Sequence, residues 1–403
     1  MTGPGSPDVV VVGAGIIGLS IAWQAAAAGI HVTVVDPDRG RGSSWAAAGM
    51  LAPVAEAHFG EEALAALNVA AVRAWPGYAA RLEVASGMPV HFRADGTLLV
   101  AGDPSDRAAT DRVLAFHQAI GLEAVRLSSS SCRRAEPLLA PGISGGVDLP
   151  DDHQVDNRST VLALVAACES AGVIFLSDVV TGVVVTAGRV HGVDLAAGGR
   201  HTAGAVVVAA GSWSERIEGL PGSARPPVRP VRGVTVRLQA GDGVPRLQRT
   251  VRALVHGRTC YLVPRNDGGL VLGATMEERG FDLSVPLGGL ADLFEDARKV
   301  VPALGEYSVV ETTPGLRPGS PDNGPIVGRT GVPGLLVATG HFRNGVLLAP
   351  LTADEVVAML VAGPQGGDPR SGPFSAFRPD RFMPGAERSG PERSGPVRTG
   401  TPG

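Results

Sequence analysis

Three glycines stand in the order Gly13-Ala14-Gly15-Ile16-Ile17-Gly18, directly after the β-branched run Val9 to Val12, and Asp36 closes the next apolar run. Each of these residues has a chemical use. Gly13 permits a tight turn, Gly15 lets the backbone approach a pyrophosphate, and Gly18 lets a helix pack closely on a strand. The helix that starts there offers free N–H groups and a positive dipole to phosphates. A carboxylate at Asp36 can accept both hydroxyls of a ribose and repels a 2′-phosphate. Strand, turn, helix, second strand and terminal acid together describe a dinucleotide site, but they do not separate FAD from NAD. Two further segments bear on that choice. Ser43-Ser44-Trp45-Ala46-Ala47-Ala48-Gly49-Met50 supplies small residues that allow close approach to a flat ring. Gly340-His341-Phe342-Arg343-Asn344-Gly345 opens a second helix, whose N-terminus would stabilise negative charge on a reduced flavin.

The elements that must position these groups follow from hydrophobic periodicity and turn residues. A βαβ unit is expected from strand Val9 to Val12, helix Leu19 to Ala28 closed by Gly29, and strand His31 to Val35. Helices are predicted over Ala63 to Glu83, Val161 to Ala171, Gly289 to Val301 and Asn344 to Val361. Strands are predicted over Val173 to Leu176, Val179 to Val185, Ala205 to Ala209 and Leu335 to Ala338. Val90 to Val100 reads as strands around an Asp95-Gly96 turn. Val228 to Gly273 is strand-rich, with turn signals at Gly233, Asp242-Gly243 and Asp267-Gly268-Gly269. The patterns interleave, so the domains are expected to be discontinuous. Residues 8–85, 145–225 and 325–365 fall to a nucleotide-binding domain, and 86–144 and 226–324 to a substrate domain. Residues 383–403, where ERSGP occurs twice, have almost nothing to bury and are expected to be a disordered tail.

Composition removes several classes of function. The 403 residues include 35 basic and 39 acidic ones, with no long run of either sign, which gives no electrostatic case for nucleic acid or an anionic membrane. Three widely spaced cysteines, Cys132, Cys168 and Cys260, fit reduced thiols in a cytoplasm and supply no metal or redox pair. No metal site is expected; His153 in DDHQVD has no second ligand at suitable spacing. Cys260 lacks the context of a covalent flavin attachment. Lys299 is the single lysine, so Schiff-base chemistry has almost nowhere to go. The charge-free span from Val9 to Val35 is broken by glycines and preceded by no basic segment, which argues against a membrane anchor.

Five segments in order carry a family resemblance: AAAGML at Ala46 to Leu51, CYLVPR at Cys260 to Arg265, GATM at Gly273 to Met276, GLRPGS at Gly315 to Ser320, and GHFRNGVLLAP at Gly340 to Pro350. Over about residues 8 to 382 the chain resembles the D-amino-acid oxidase superfamily of flavoproteins, and within it the glycine oxidases of the thiamine pathway. That resemblance implies non-covalent FAD in a Rossmann-like α/β domain, covered by a second, substrate-binding domain on a large mixed or antiparallel sheet, α+β overall. It implies oxidative deamination of glycine, and more weakly of sarcosine and small D-amino acids, with O2 reduced to H2O2. A homotetramer and hand-off of the iminoglycine or glyoxylate product to a thiazole synthase are the implied assembly and partner. Sarcosine oxidases and D-amino-acid dehydrogenases of the same superfamily are the alternatives.

The matched motifs imply FAD contacts from Gly13, Gly15, Ile16, Ile17, Gly18, Asp36, Pro37, Ser43, Ser44, Ala48, Gly49 and Met50, with Val180 meeting the adenine side through its backbone. His341, Phe342, Arg343, Asn344, Gly345, Val346 and Leu347 would wrap the flavin end. Arg317 resembles the carboxylate-binding arginine, Arg343 a second arginine near substrate, and Tyr261 and Met276 the pocket walls. An arginine fork grips a carboxylate bidentately in a way lysine cannot copy. With the carboxylate fixed and the amine deprotonated, the substrate Cα–H can lie against the flavin and pass hydride without a dedicated protein base.

Overall fold

The computed structural model describes residues 9–363 and 372–383. The ERSGP repeat and the rest of the expected tail, apart from Met383, lie outside them.

Val9–Val12 is four valines, all buried, and forms an interior strand of a six-stranded sheet. It pairs in parallel with Ala205–Val208 on one side and Val32–Val35 on the other. Leu335–Thr339 and Ile174–Leu176 extend the parallel set, and Ile326–Arg329 adds an antiparallel edge. Strands buried on both faces need continuous apolar runs, which accounts for the valine-rich sequences. The helix Ile16–Ala27 is apolar nearly all round, as burial between elements requires, and shares a core with the helices Asn157–Ser170 and Gly345–Val361. It begins three residues before the expected Leu19, because Gly15 serves as its N-cap.

An eight-stranded sheet runs in the order Tyr307–Gly319, Arg229–Ala240, Gly269–Gly273, Arg258–Pro264, Thr250–Val255, Thr97–Ala101, Gly146–Leu149, Val125–Leu127. All pairings are antiparallel except Thr97–Ala101 with Thr250–Val255. Its own core lies against the helix Leu287–Val300. A three-stranded sheet, beginning with Val180–Thr186, flanks the parallel sheet.

Two local expectations are corrected. No hairpin forms around Asp95-Gly96: the Val90 to Arg93 backbone pairs instead with Gln154 and Asp156, and Thr97–Ala101 pairs with strands distant in sequence. Gly233 is not a turn but lies inside the strand Arg229–Ala240. The turn-former-rich segment around Arg317 is part of the 13-residue strand Tyr307–Gly319, whose Pro314 and Pro318 are tolerated because it is a sheet edge. Among the described residues, no helix is long and apolar enough to cross a membrane.

Candidate active site

A cavity of about 810 Å3 separates the carboxyl ends of the parallel strands from the edge of the large sheet. That volume is in the range of cofactor sites, roughly 300–1,000 Å3. Two helices present their N-termini to it. The helix Ile16–Ala27 is capped by Gly15, has no acid in its first turn, and receives one side-chain acceptor there, Ser44 Oγ on Ile16 N at 2.9 Å. The helix Gly345–Val361 likewise has no side-chain cap bond and no acid in its first turn. Neither first turn holds an acid, so both dipoles favour an anionic ligand in the cavity. A Cβ on Gly15 would meet only Ser44 Oγ, at 3.4 Å, so this glycine leaves room for a ligand rather than for protein. Gly18 differs: a Cβ there would stand 2.0 Å from the Gly13 carbonyl, so it serves packing and is not part of the cavity wall.

Asp36 closes the nucleotide end. Its Oδ2 accepts from Ala14 N and its Oδ1 from Asp38 N, both at 2.7 Å. Burial pushes its carboxyl above the ordinary range against the pull of these two donors. Pro37 and Val180 line the same end. The segment 43–50 forms the floor and is pinned from several directions. Ser43 Oγ donates to the Leu316 carbonyl, Thr235 Oγ1 to the Ala46 carbonyl at 2.8 Å, and Asn157 Nδ2 to the Ser44 carbonyl at 2.7 Å. The loop Gly340 to Asn344 is tied to the end of the Arg317 strand through Phe342 N on the Pro318 carbonyl. His341 is buried, its Nε2 sits 3.0 Å from Thr352 Oγ1, and burial pushes it down to about 3, so the ring is neutral.

At the other end Arg317 and Tyr261 converge over glycines. A Cβ on Gly233 would lie 2.1 Å from Arg317 Nη1, and one on Gly273 would lie 2.2 Å from the Tyr261 ring. Both side chains lie flat on bare backbone. Arg317 Nη1 donates to the Thr275 carbonyl at 3.1 Å, and its positive charge acts on the Tyr261 phenol. Among the described residues Arg317 has no carboxylate partner within ion-pair distance. Burial raises the Tyr261 phenol further above neutrality, so it stays a donor.

The sequence-predicted residues thus meet in one cavity, with three exceptions. Met276 is 62% exposed and is not part of the lining. Leu347 is buried in the core behind the wall, as is Gly18. Arg343 lines the cavity but stands 2.9 Å from the carboxylate of Glu56. Several lining residues had no sequence assignment. Ala209, Ala210 and Gly211 follow a parallel strand at its carboxyl end, where α/β sheets hold ligands, and the AAGSW pattern was the available signal. Trp213, Leu283 and Glu56 carried none. His153 packs edge-on against Phe92, and burial pushes the Cys260 thiol up to about 12.

A sequence model for FAD-dependent oxidoreductases, the DAO family, matches residues 8–359. The bifunctional protein ThiO/ThiG of Trichormus variabilis is 33% identical over 383 residues, 93% of this chain and 55% of that protein. The chain thus spans about half the length of that relative. A glycine oxidase of Geobacillus kaustophilus is 32% identical over 349 residues, 86% of this chain and 90% of its own length. The crystal structure of glycine oxidase from that organism superposes with a TM-score of 0.83 at 30% identity, covering 94% of this chain and all of that one. With a family match across most of the sequence and a cavity that faces two helix N-termini and Asp36, the chain belongs to the FAD-dependent oxidoreductases of the DAO family.

Proposed function

We propose that this enzyme oxidatively deaminates glycine, consuming O2 and water and releasing glyoxylate, ammonia and H2O2, and that it acts more weakly on sarcosine and small D-amino acids, which yield the corresponding 2-oxo acid, the amine (methylamine from sarcosine) and H2O2. The observation that carries the reading is Arg317: a guanidinium laid on Gly233, facing the cavity, with no carboxylate partner among the described residues. An arginine so placed is built to receive an anion from outside the protein. When bound, FAD supplies the two-electron acceptor. Gly13, Gly15, Ile16, Ile17, Ser43, Ser44 and Asp36 would hold its nucleotide half, and Ala48, Gly49, Met50 and His341 to Val346 its ring.

The protein's part is positional. Arg317 and the Tyr261 hydroxyl fix the substrate carboxylate, and with it the orientation of the carbon that loses hydrogen. The neutral His341 adds no charge beside the ring. A titratable base at the reacting carbon is not required once the substrate amine has lost its proton. The helix Gly345–Val361 directs its positive end at charge that develops on the acceptor.

Residues 8–85, 145–225 and 325–365 would act as the FAD-binding domain, and 86–144 with 226–324 as the substrate domain. A cytoplasmic homotetramer that hands its imine product to a thiazole synthase is the assembly we propose; the fused relative ThiO/ThiG supports the hand-off. The test is anaerobic mixing of the purified yellow protein with glycine. Bleaching of the flavin spectrum, recovery on admitting O2, and one H2O2 per glyoxylate are expected. A flavin that glycine, sarcosine and D-alanine all fail to reduce would reject the proposal, and bleaching without reoxidation by O2 would point to a dehydrogenase.

A further inference from the structure

Two arginines face the same end of the cavity and differ in their partners. Among the described residues Arg317 has no carboxylate within ion-pair distance, whereas Arg343 Nε is ion-paired with Glu56. The Glu56 side chain is only 9% exposed and lines the same cavity. Its Oε1 is bonded by Arg252, which lies behind the wall, and its Oε2 faces Arg343 Nε at 2.9 Å and His58 Nε2 at 3.8 Å. Burial pushes the Glu56 carboxyl up, but Arg252, His58 and Arg343 together outweigh it and hold the group far below the usual carboxylate range. The loop that carries it is fixed from below. Asp152 accepts from Val54 N at 2.9 Å and Ala55 N at 3.2 Å, and Glu56 N donates to the Ala52 carbonyl.

We propose that Glu56 is a specificity-determining residue: by occupying Arg343 it leaves Arg317 as the single anion clamp and excludes substrates that carry a second anionic group. The proposal rests on the amino-acid reading above. Without the Glu56 charge, the cavity would present two arginine forks, and a glycine bearing a second carboxylate would have a partner for each. With Glu56 in place, that second carboxylate would meet a buried like charge, and the charge of the arginine it needs is already balanced through Nε. Arg343 is half-buried and rests against the Phe342 ring, so it does not need to be rebuilt to receive an anion. The effect is of the repulsive kind, acting by rejection of the wrong ligand rather than by grip on the right one.

The holoenzyme and its Glu56→Gln variant would be compared on two pairs of substrates, glycine against iminodiacetate and D-alanine against D-aspartate. Affinities for acetate and malonate would be read in parallel from perturbation of the flavin spectrum. The expected result is a gain of about tenfold to a hundredfold in the dicarboxylate-to-monocarboxylate ratio of kcat/KM, the range one charge-assisted bond supplies, expressed in KM. Glu56→Asp should keep the parental ratio, and Glu56→Gln with Arg343→Gln should return to it. Should Glu56→Gln fail to fold with Arg252 left unpaired, Glu56→Gln with Arg252→Met removes both buried charges, and the same gain is expected. An unchanged ratio in a folded, yellow variant overturns the proposal, as does an equal loss of affinity for mono- and dicarboxylates, which would make Glu56 a substrate contact or a purely structural group. If the parent is reduced by no amino acid, the functional reading fails, while the acetate and malonate titrations still decide the role of Glu56.

Discussion

Replacing Arg317 puts the substrate reading at greatest risk. One guanidinium N–H, on Nη1, is already spent on the Thr275 carbonyl. The remaining donors leave room for a two-bond grip on a carboxylate. Each charge-assisted bond is worth about 1.5–3 kcal/mol, so Arg317→Ala should lower kcat/KM for glycine by roughly two to four powers of ten. Arg317→Lys keeps the charge but offers a point in place of a fork, and should lose about half as many decades. Turnover should fall along with affinity, because an unclamped substrate no longer presents its reactive carbon. Flavin content and Tm should stay close to the parent, since Arg317 anchors no carboxylate among the described residues. The assay is anaerobic stopped-flow bleaching across a glycine titration, with the flavin spectrum recorded before mixing. An alanine variant that is fully yellow and is reduced by glycine with the parental rate and half-saturation would refute the reasoning.

Gly15→Val should give a folded but colourless protein. The backbone there has φ −73, open to any residue, and a new Cβ meets only Ser44 Oγ, so a parental apoprotein Tm with no bound FAD is the expected pair of results. Retained stoichiometric FAD would remove Gly15 from the site. Gly273→Ala should push the Tyr261 ring out of place and cost about tenfold or more in kcat/KM with flavin retained; the overpacking itself is worth about 1–3 kcal/mol in Tm measurements. Burial raises the Asp152 carboxyl from 3.8 to about 7. A raised carboxyl contributes stability below its unfolded value that is lost as pH rises through the folded one. The Tm advantage of Asp152→Asn over the parent should therefore open between about pH 4 and 7 and level off above; a gap that is constant with pH would contradict this.

What the sequence made legible is the part whose contacts are local. Val9 to Asp36 forms a complete βαβ unit within one short stretch, and its strands carry their two-sided burial as fully buried, valine-rich runs. The strand Tyr307–Gly319 was hidden for the opposite reason. Its two prolines and two glycines imitate a turn, and only the neighbouring strand Arg229–Ala240, far away in sequence, shows that they sit on a sheet edge. Gly233 misled in the same way: its purpose is the Arg317 guanidinium lying on it, a tertiary fact with no sequence signature. Motif similarity located Arg317 and Tyr261 where periodicity could not. It also brought forward Met276, whose side chain is turned to the surface.

The same division explains why the two ends of the cavity can change independently. The nucleotide end is held by bonds inside one unit, such as Asp36 on Ala14 N, and by one short reach to Ser44. The substrate end is assembled from Glu56, Arg252, Tyr261, Arg317 and Arg343, no two of them on the same strand, and each held by a backbone that belongs to a different element. A substitution in the Glu56 loop therefore alters charge at the substrate end without touching any group that faces Asp36. A substitution at Gly15 or Asp36 removes the dinucleotide and silences every substrate alike. Altered preference among amino acids should accordingly arise in the loop after Leu51 and on the edge strand, while the glycine-rich turn stays fixed by a ligand that all those substrates share.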